Sequence, residues 1–532
     1  MAYTSRIQVI PLGAGQDVGR SCILARIGPV NIMLDCGQHM GYTDHRRFPD
    51  FHYLKSDLSA PGTLNKLIDV VLISHAHLDH CGALPYLTEV IGYDGPLIMT
   101  PPTRDMLPIM LEDARKVAVD RRGEVNYFSA ENIRSCLSKV TTIEQDETIR
   151  LPGPTADSDI EITCYYAGHI LGAAMFRIKY GMQSLVYTGD FNTTPDRHLG
   201  EARIDKCRPD VLITESTYAT LIRDSRLVRE RMFLQDVYTQ TIEKKGKVLI
   251  PVFALGRSQE LCILLEGFWK RKNIQVPIYF SGGLTEKSLE FYKMYISWTN
   301  ESLRNQLGQE NVNAFDFKFI KPWKPEYINN PGPAVLFATP GMLSAGTSLE
   351  VLRAWAGDAN NMIIIPGFQS AGSVGAKLLA NQPEIYTPDN PEPIRPKLAI
   401  RNLSFSAHAD AKGILSLIEK CAPSNVVLVH GEANKMVKLK AQIEDAPLRI
   451  PCFMPANGEP VDFYTRHRAP AYVSREQLDK AREAFRPKNV VGVNGKVNVA
   501  LLKPLTHQEL EELVLGELCE DCQLVVIDEE NK

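Results

Sequence analysis

Residues 72–86 read Leu-Ile-Ser-His-Ala-His-Leu-Asp-His-Cys-Gly-Ala-Leu-Pro-Tyr and set His75, His77, Asp79 and His80 within one short stretch. The whole chain holds only 12 histidines. Three of them at this spacing form a metal-ligand pattern rather than a scatter. The run before them, Ile68 to Ile73, is short, apolar and rich in β-branched residues, so it reads as a buried strand that delivers the cluster at its end. Alternate residues of an extended chain point the same way. His75 and His77 therefore face one cation from one side, while Asp79 and His80, where the chain turns toward a helix, lean onto a second. Imidazole and carboxylate without thiolate suit zinc. Four side chains do not complete two sites, so the rest of the chain must supply more.

A length of 532 residues suggests three or four domain-sized units, and a 44% hydrophobic fraction suits globular cores. With 59 basic and 63 acidic residues the net charge is -4, so nucleic acid would have to be met by local basic patches. Of 11 cysteines, several sit in apolar runs, among them Cys22, Cys36, Cys81, Cys164 and Cys262, as buried free thiols do in a reducing compartment. Cys519 and Cys522 form a lone Cys-x-x-Cys with no second pair nearby. The N-terminus lacks the pattern of a signal peptide and no apolar stretch approaches the ~20 residues that span a bilayer. The expectation is an intracellular protein with no membrane partner.

Residues 6–37 read as consecutive antiparallel strands separated by glycine turns. Gly13, Gly15 and Gly19 do not make a dinucleotide fingerprint, because the spacing is wrong and a strand follows. Asp35 closes its strand before Cys and Gly, and reads equally as a turn residue or as a carboxylate that orients a ligating histidine. Residues 103–150 look mostly helical. Three strands then end in loops carrying His169, Asp190 and Glu215 in turn. From about residue 216 an Arg-rich helix opens a second α/β region of short apolar strands and helices, the pattern of a parallel sheet. After the proline-rich stretch 387–396 come two further loop histidines, His408 and His430. Residues 466–532 form a last piece, in which Ser474-x-x-Gln477 and Thr506-x-x-Glu509 read as capping boxes of two helices. So small a unit gains from a partner, and its acidic end favours a protein over RNA.

The His-x-His-x-Asp-His cluster, with a later loop histidine and Asp190, resembles the metallo-β-lactamase fold, and the segment from Glu215 to His430 resembles the β-CASP insertion of RNA- and DNA-processing nucleases. The likeness spans nearly all of residues 6–465. Gly-Tyr-Asp-Gly-Pro at 92–96, Asp-Arg-His-Leu-Gly at 196–200, Ile-Asp-Lys-Cys-Arg-Pro at 204–209, Phe-Ala-Thr-Pro-Gly-Met-Leu at 337–343 and Ser-Ala-His-Ala-Asp-Ala-Lys-Gly at 406–413 resemble the branch containing the Integrator catalytic subunit more than the cleavage and polyadenylation endonuclease.

This resemblance implies an α/β protein built from three parts. A metallo-β-lactamase αββα sandwich occupies 1–212 and returns over 395–465, a β-CASP α/β domain with a parallel sheet is inserted over 213–394, and a small α+β C-terminal dimerisation domain fills 466–532. It implies two zinc ions, one held by His75, His77 and His169, the other by Asp79, His80 and His430, with Asp190 bridging. It implies a general acid, His408, oriented by Glu215, and in-line attack on RNA by a metal-bridging hydroxide. Arg257 and neighbouring basic residues are candidates for phosphate contact. The implied role is cleavage of nascent nuclear transcripts, in snRNA 3′-end processing and promoter-proximal cleavage. Implied partners are single-stranded RNA, an inactive homologous β-CASP subunit bound through the C-terminal domain, and a larger Integrator-like complex that opens a latent site. The implied location is the nucleus, with a cytoplasmic stage during assembly. The alternative within the family is the mRNA 3′-end cleavage and polyadenylation endonuclease. A small-molecule metallo-hydrolase would not need His408, Glu215 or so long an insertion.

Overall fold

The computed structural model describes residues 5–465 except 55–62, 122, 155–157, 224, 254, 282, 311–312, 368, 370–371, 388–389 and 446, together with 469–474 and 522–527. Two seven-stranded sheets carry the first and returning parts of the chain. One runs in the order Val461–Thr465, Ser5–Gly13, Cys22–Ile27, Val30–Leu34, Val70–Leu72, Leu97–Met99 and Val140–Thr142. The other runs Cys452–Phe453, Val426–Val429, Val211–Glu215, Gln183–Tyr187, Ala174–Tyr180, Ile160–Tyr166 and Thr148–Leu151.

Central strands such as Val70–Leu72, Val211–Glu215 and Val426–Val429 are buried at every position, as strands covered on both faces must be. On one side the sheets meet each other. Ala174 N donates to the Ser74 carbonyl at 2.9 Å and the Tyr187 hydroxyl donates to Asp35 at 2.6 Å, each bond joining one sheet to the other. On the outer sides helices supply the cover. Ile414, Leu417 and Ile418 of the helix Ala411–Cys421, at helical spacing, share a core with Val426 and Leu428. Met106 and Leu107 of Pro101–Lys116 belong to that same cluster with Val71 and Met99.

The inserted region is a six-stranded sheet in the order Ile320–Pro322, Ile278–Phe280, Ala334–Ala338, Lys247–Pro251, Met362–Ile365 and Ala399–Asn402, parallel at each of its pairings. Successive side chains of its central strand go to opposite faces. Val248 and Ile250 pack with Phe233, Leu261, Leu265 and Trp269, whereas Leu249 packs with Leu349, Leu352 and Trp355.

The structure refines the expected helical stretch and the expected end of the insertion. The stretch 103–150 does hold helices, Pro101–Lys116 and Ala130–Ser138, but it ends in the strands Val140–Thr142 and Thr148–Leu151, whose β-branched residues pair at sheet edges. Within the proline-rich stretch, Asn390–Ile394 pairs antiparallel with Ile385–Thr387 in a two-stranded ribbon, where every strand is an edge and proline is tolerated. Ala399–Asn402, beyond residue 394, is the last strand of the parallel sheet.

Residues 464–532, with 1–7, separate as a second compact unit, and in it the described strands Ala469–Ser474 and Cys522–Ile527 pair in parallel. The helices expected after Ser474 and Thr506, the acidic end and Cys519 lie outside the described residues. Elsewhere the described cysteines are free thiols, buried apart from half-buried Cys207.

Trp269 is fully buried and its indole N–H donates to the Val276 carbonyl at 2.8 Å. Trp269→Ala is expected to cost about 3–5 kcal/mol in urea unfolding. A loss below about 1 kcal/mol would show that this core closes around other residues.

Candidate metal centre

The strand Val70–Leu72 ends two residues before Ser74 and His75, and the short helix Leu78–Cys81 follows with Asp79 and His80 in it. Asp35, at the end of Val30–Leu34, adopts a left-handed backbone (φ 61) that brings its carboxylate under this loop. It is fully buried and accepts four hydrogen bonds: Oδ1 from Ser74 N (2.7 Å), and Oδ2 from Ser74 Oγ (2.8 Å), His80 Nδ1 (2.7 Å) and Tyr187 Oη (2.6 Å). Gly37 makes room for the loop, because a Cβ there would stand 1.7 Å from the Asp79 carbonyl oxygen.

Those partners decide which nitrogen of each ring faces inward. Ser74 Oγ gives its only proton to Asp35, so it accepts from His75 Nδ1 at 2.9 Å and leaves the His75 Nε2 lone pair free. The carboxylate holds His80 by Nδ1 in the same way. His169 Nδ1 donates to the Ala407 carbonyl at 2.9 Å. Thr217 Oγ1 donates to Glu215 Oε2 at 2.6 Å and accepts from His430 Nδ1 at 3.0 Å. In each case the outer nitrogen is pinned and Nε2 turns to the centre.

What converges there lacks protons to share. His77 Nδ1 lies 3.1 Å from His75 Nε2 and 3.0 Å from His169 Nε2. Asp190 Oδ2 stands 3.7 Å from both of the latter nitrogens and 3.2 Å from His80 Nε2. On the other side, His430 Nε2 is 3.4 Å and His80 Nε2 4.0 Å from Asp79 Oδ2, while His430 Nδ1 is 3.4 Å from Asp190 Oδ1. Two sets of potential ligand atoms result, His75, His77, His169 and Asp190 in one, Asp79, His80 and His430 in the other.

Buried His80 Nε2 and Asp190 Oδ1 have no hydrogen-bond partner among the described residues. Two ligands at 2.0–2.1 Å from a tetrahedral zinc stand about 3.3 Å apart, close to the nitrogen spacings here. Orphaned acceptors and converging lone pairs fit divalent cations.

Charge follows the same division. Burial, reinforced by neighbouring imidazoles, holds His75 and His169 well below the usual histidine range, and burial takes His77 down to about 4. For Asp79 and Asp190 burial opposes ionisation, but His80 and His430 outweigh it and keep both carboxyls below the usual range. His80 and His430 move up instead, because nearby carboxylates, Asp190 foremost, outweigh burial. At these two rings a proton and a cation compete.

Beside the cluster, His408 Nδ1 meets Glu215 Oε2 at 2.8 Å, with Glu215 wholly buried and His408 17% exposed. Phe191 N donates to the other Glu215 oxygen at 2.8 Å. His408 Nδ1 is 3.7 Å from Asp190 Oδ2, so the pair adjoins the cluster. The loop bearing His408 is held by Asp410, which caps the helix Ala411–Cys421 through Gly413 N at 2.9 Å, and by Arg223. Arg223 Nη1 donates to the His408 carbonyl at 2.6 Å, its own amide donates to Asp410 at 3.1 Å, and its guanidinium stacks 4.5 Å over Tyr218. Sequence reading missed Arg223, Ser74, Tyr187 and Thr217, since each acts through another residue distant in the chain.

Arg257 is corrected. Its guanidinium turns inward, Nη2 2.6 Å from Asp196 Oδ2 with 12% of the side chain exposed, and is unavailable to a phosphate. Asp196, His198 and Glu260 form another buried group of potential ligands, in which Asp196 Oδ2 is engaged by Arg257 and Glu260 Oε2 by Arg197 N at 2.7 Å and His198 Nδ1 at 3.0 Å. That network ties the loop after Asp190 to the helix Arg257–Lys272 instead.

Three domain families match the chain: the metallo-beta-lactamase superfamily domain over residues 24–227, the Beta-Casp domain over 258–378, and the Zn-dependent metallo-hydrolase RNA specificity domain over 393–455. Integrator complex subunit 11 of Gallus gallus is 52% identical over 96% of this chain and 84% of its own length. The chain belongs to the metallo-beta-lactamase and Beta-Casp family. Cleavage and polyadenylation specificity factor subunit 3-II of Arabidopsis thaliana, 49% identical over 86% of this chain and 72% of its own length, is a further relative. A crystal structure of an Enterococcus faecalis protein of unknown function shares the fold at TM-score 0.50 and 13% identity, over 86% of this chain and all of that one. As a member of the Beta-Casp family the chain is a metal-dependent hydrolase, and the clusters described here are its candidate metal-binding side chains.

Asp35→Asn retains a residue suited to the left-handed backbone but offers at most one acceptor atom where four donors converge. Metal affinity in competition with a chelator is expected to fall about 10- to 100-fold with the far-ultraviolet circular dichroism unchanged. Unaltered affinity would show that the Asp35 network does not orient the cluster.

Proposed function

We propose that this chain is the catalytic endonuclease of an Integrator-like complex, cutting nascent nuclear transcripts in snRNA 3′-end processing and promoter-proximal cleavage. The observation that carries it is the His408–Glu215 pair at 2.8 Å, 3.7 Å from Asp190. Hydrolysis of a small thioester expels a thiolate that leaves without a proton donor, whereas cutting RNA also requires a proton for a poorer leaving group, the ribose 3′-oxygen. The relatives' names support the assignment to Integrator over a small-molecule hydrolase.

In this reading His75, His77 and His169 hold one zinc, Asp79, His80 and His430 a second, and Asp190 lies between them. Bound zinc would supply an acidic water at neutral pH and positive charge to offset that building on the phosphate. The chain's own residues do the rest. Asp35, Ser74, Ala407 and Thr217 pin the outer nitrogens of His80, His75, His169 and His430, so that these four rings need not reorient. Glu215 holds His408 by Nδ1, which leaves Nε2 to pass a proton to the departing 3′-oxygen, giving a 3′-hydroxyl and a 5′-phosphate. Arg223 fixes the carbonyl of His408 and with it the distance to the cluster.

Domain boundaries at 212 and 465, with the inserted domain ending after its last strand Ala399–Asn402 rather than at 394, pairing of residues 466–532 with an inactive homologous subunit, and a nuclear location belong to the same proposal. The expected cytoplasmic stage finds no support among the relatives and is set aside. The second reading, an mRNA 3′-end cleavage and polyadenylation endonuclease, is favoured by the name of the 49% identical relative.

The test uses the zinc-loaded chain with its partner subunits and a labelled single-stranded RNA. Internal cuts with 3′-hydroxyl ends are expected, lowered about 10²–10⁴-fold in His408→Ala and Glu215→Gln while zinc content stays at the wild-type value. RNA left intact under conditions where a small thioester is hydrolysed would sink the nuclease reading. Cleavage confined to sites upstream of poly(A) addition would favour the second reading.

A further inference from the structure

The strand Ala399–Asn402 ends the parallel sheet, paired with Met362–Ile365 on one side and with no described strand on the other. The amides of Ala399 and Leu403 donate to the carbonyls of Asn361 and Ile365 at 3.0 and 3.2 Å. In the alternating ladder of a parallel pair the backbone groups of Ile400 and Asn402 then face away from the sheet. Beside that open edge runs a groove of about 490 Å³, walled by Ile400, Arg401 and Asn402 and, across from them, by Arg231 and Met232 of the helix Arg226–Tyr238. Met232 is 47% exposed, and one turn earlier on the same helical face Val228 is 44% exposed. The edge is short and carries Arg401, yet its open backbone groups lie next to exposed apolar side chains, a combination that a partner strand would cover.

We propose that this groove docks an extended segment of a partner protein, which adds a strand to the edge at Ile400 and Asn402, lays apolar side chains on Met232 and Val228, and sets carboxylates against Arg231 and Arg401. The charge favours such a segment. Arg401 already shares Asp236, Nε to Oδ2 at 3.3 Å, and exposed Arg231 adds a second cation to the rim. RNA would use the arginines but leave the backbone edge and the apolar stripe bare. A second copy of this chain would bring arginine against arginine across a two-fold axis.

The site stands apart from the nuclease reading, but its position bears on it. From Leu403 the chain runs directly to His408, and Arg229 of the groove's helix and Arg223, just before it, hold the carbonyls of Ser404 and His408. An occupant therefore rests on the segment that carries the candidate acid.

The probe is a short synthetic peptide alternating valine and glutamate, titrated into the full chain by fluorescence anisotropy, with hydrogen exchange followed at the amides of Ile400 and Asn402. Saturable binding that slows exchange at both amides is expected, weakened about tenfold or more by Met232→Glu and by Arg401→Glu, the scale of losing one interface anchor. If either variant melts early, Val228→Glu, one turn from Met232 on the same face, replaces it. Absence of saturable binding, or binding that both variants leave unchanged, overturns the proposal. Protection of the same amides by oligouridine instead of the peptide would make the groove an RNA surface. Concentration-dependent self-association abolished by Met232→Glu would make it a contact between copies.

Discussion

Under the first histidine cluster, Asp35 buries a carboxylate and surrounds it with Ser74 N, Ser74 Oγ, His80 Nδ1 and Tyr187 Oη, all within 2.6–2.8 Å. A buried charge costs several kcal/mol unless it is hydrogen-bonded, and bonds to a charged acceptor contribute about 1.5–3 kcal/mol each. Here the compensating donors come from both sheets. Stabilising the anion therefore holds the sheets in register, points His80 inward and, through Ser74, points His75 inward too. The strain of a left-handed Asp35 is offset by that network, and His430, also left-handed at φ 51, is held from behind by Thr217.

Topology supplies the remaining side chains. Gln183–Tyr187, Val211–Glu215 and Val426–Val429 are consecutive parallel neighbours in one sheet. Strands so paired lie about 4.8 Å apart, so Asp190, Glu215 and His430, placed at or just past the same ends, fall within reach of one another however far apart they are in the chain. The inserted region then contributes by position. Its last strand leads straight into the loop of His408, and Arg223 and Asp410 lock that loop against the sandwich. Closing the ionic network of Asp196, Arg257, His198 and Glu260 ties the insertion to the loop that follows Asp190.

Much of this was legible before any coordinates. The spacing of His75, His77, Asp79 and His80 names a metal cluster because strand and loop geometry act over a few residues. Strand ends at His169, Asp190, Glu215, His408 and His430 could be marked by apolar runs, and the structure brings all of those side chains to one place. Asp35 was left undecided between turn residue and orienting group, since nothing adjacent to it reveals four distant donors. Arg257 misled because an arginine near other basic residues looks available until its counter-ion, 61 positions away, is seen. Strands at 140–142 and 148–151 carry β-branched residues, but runs of three and four residues beside helical segments are too short to mark a strand until pairing at the sheet edges fixes them.

The sequence by itself determined the chemistry on offer: which short segments are strands, which loops carry imidazoles and carboxylates, and how many donors a cation could find. Those properties depend on neighbours in the chain. Only the tertiary structure decided which nitrogen of each ring faces the centre, that Glu215 pairs with His408, and that Arg223 rather than Arg257 stands at the site. Each of these is a contact between groups separated by dozens to hundreds of residues, and hydrogen bonds have no reach beyond about 3.5 Å until folding brings the partners together.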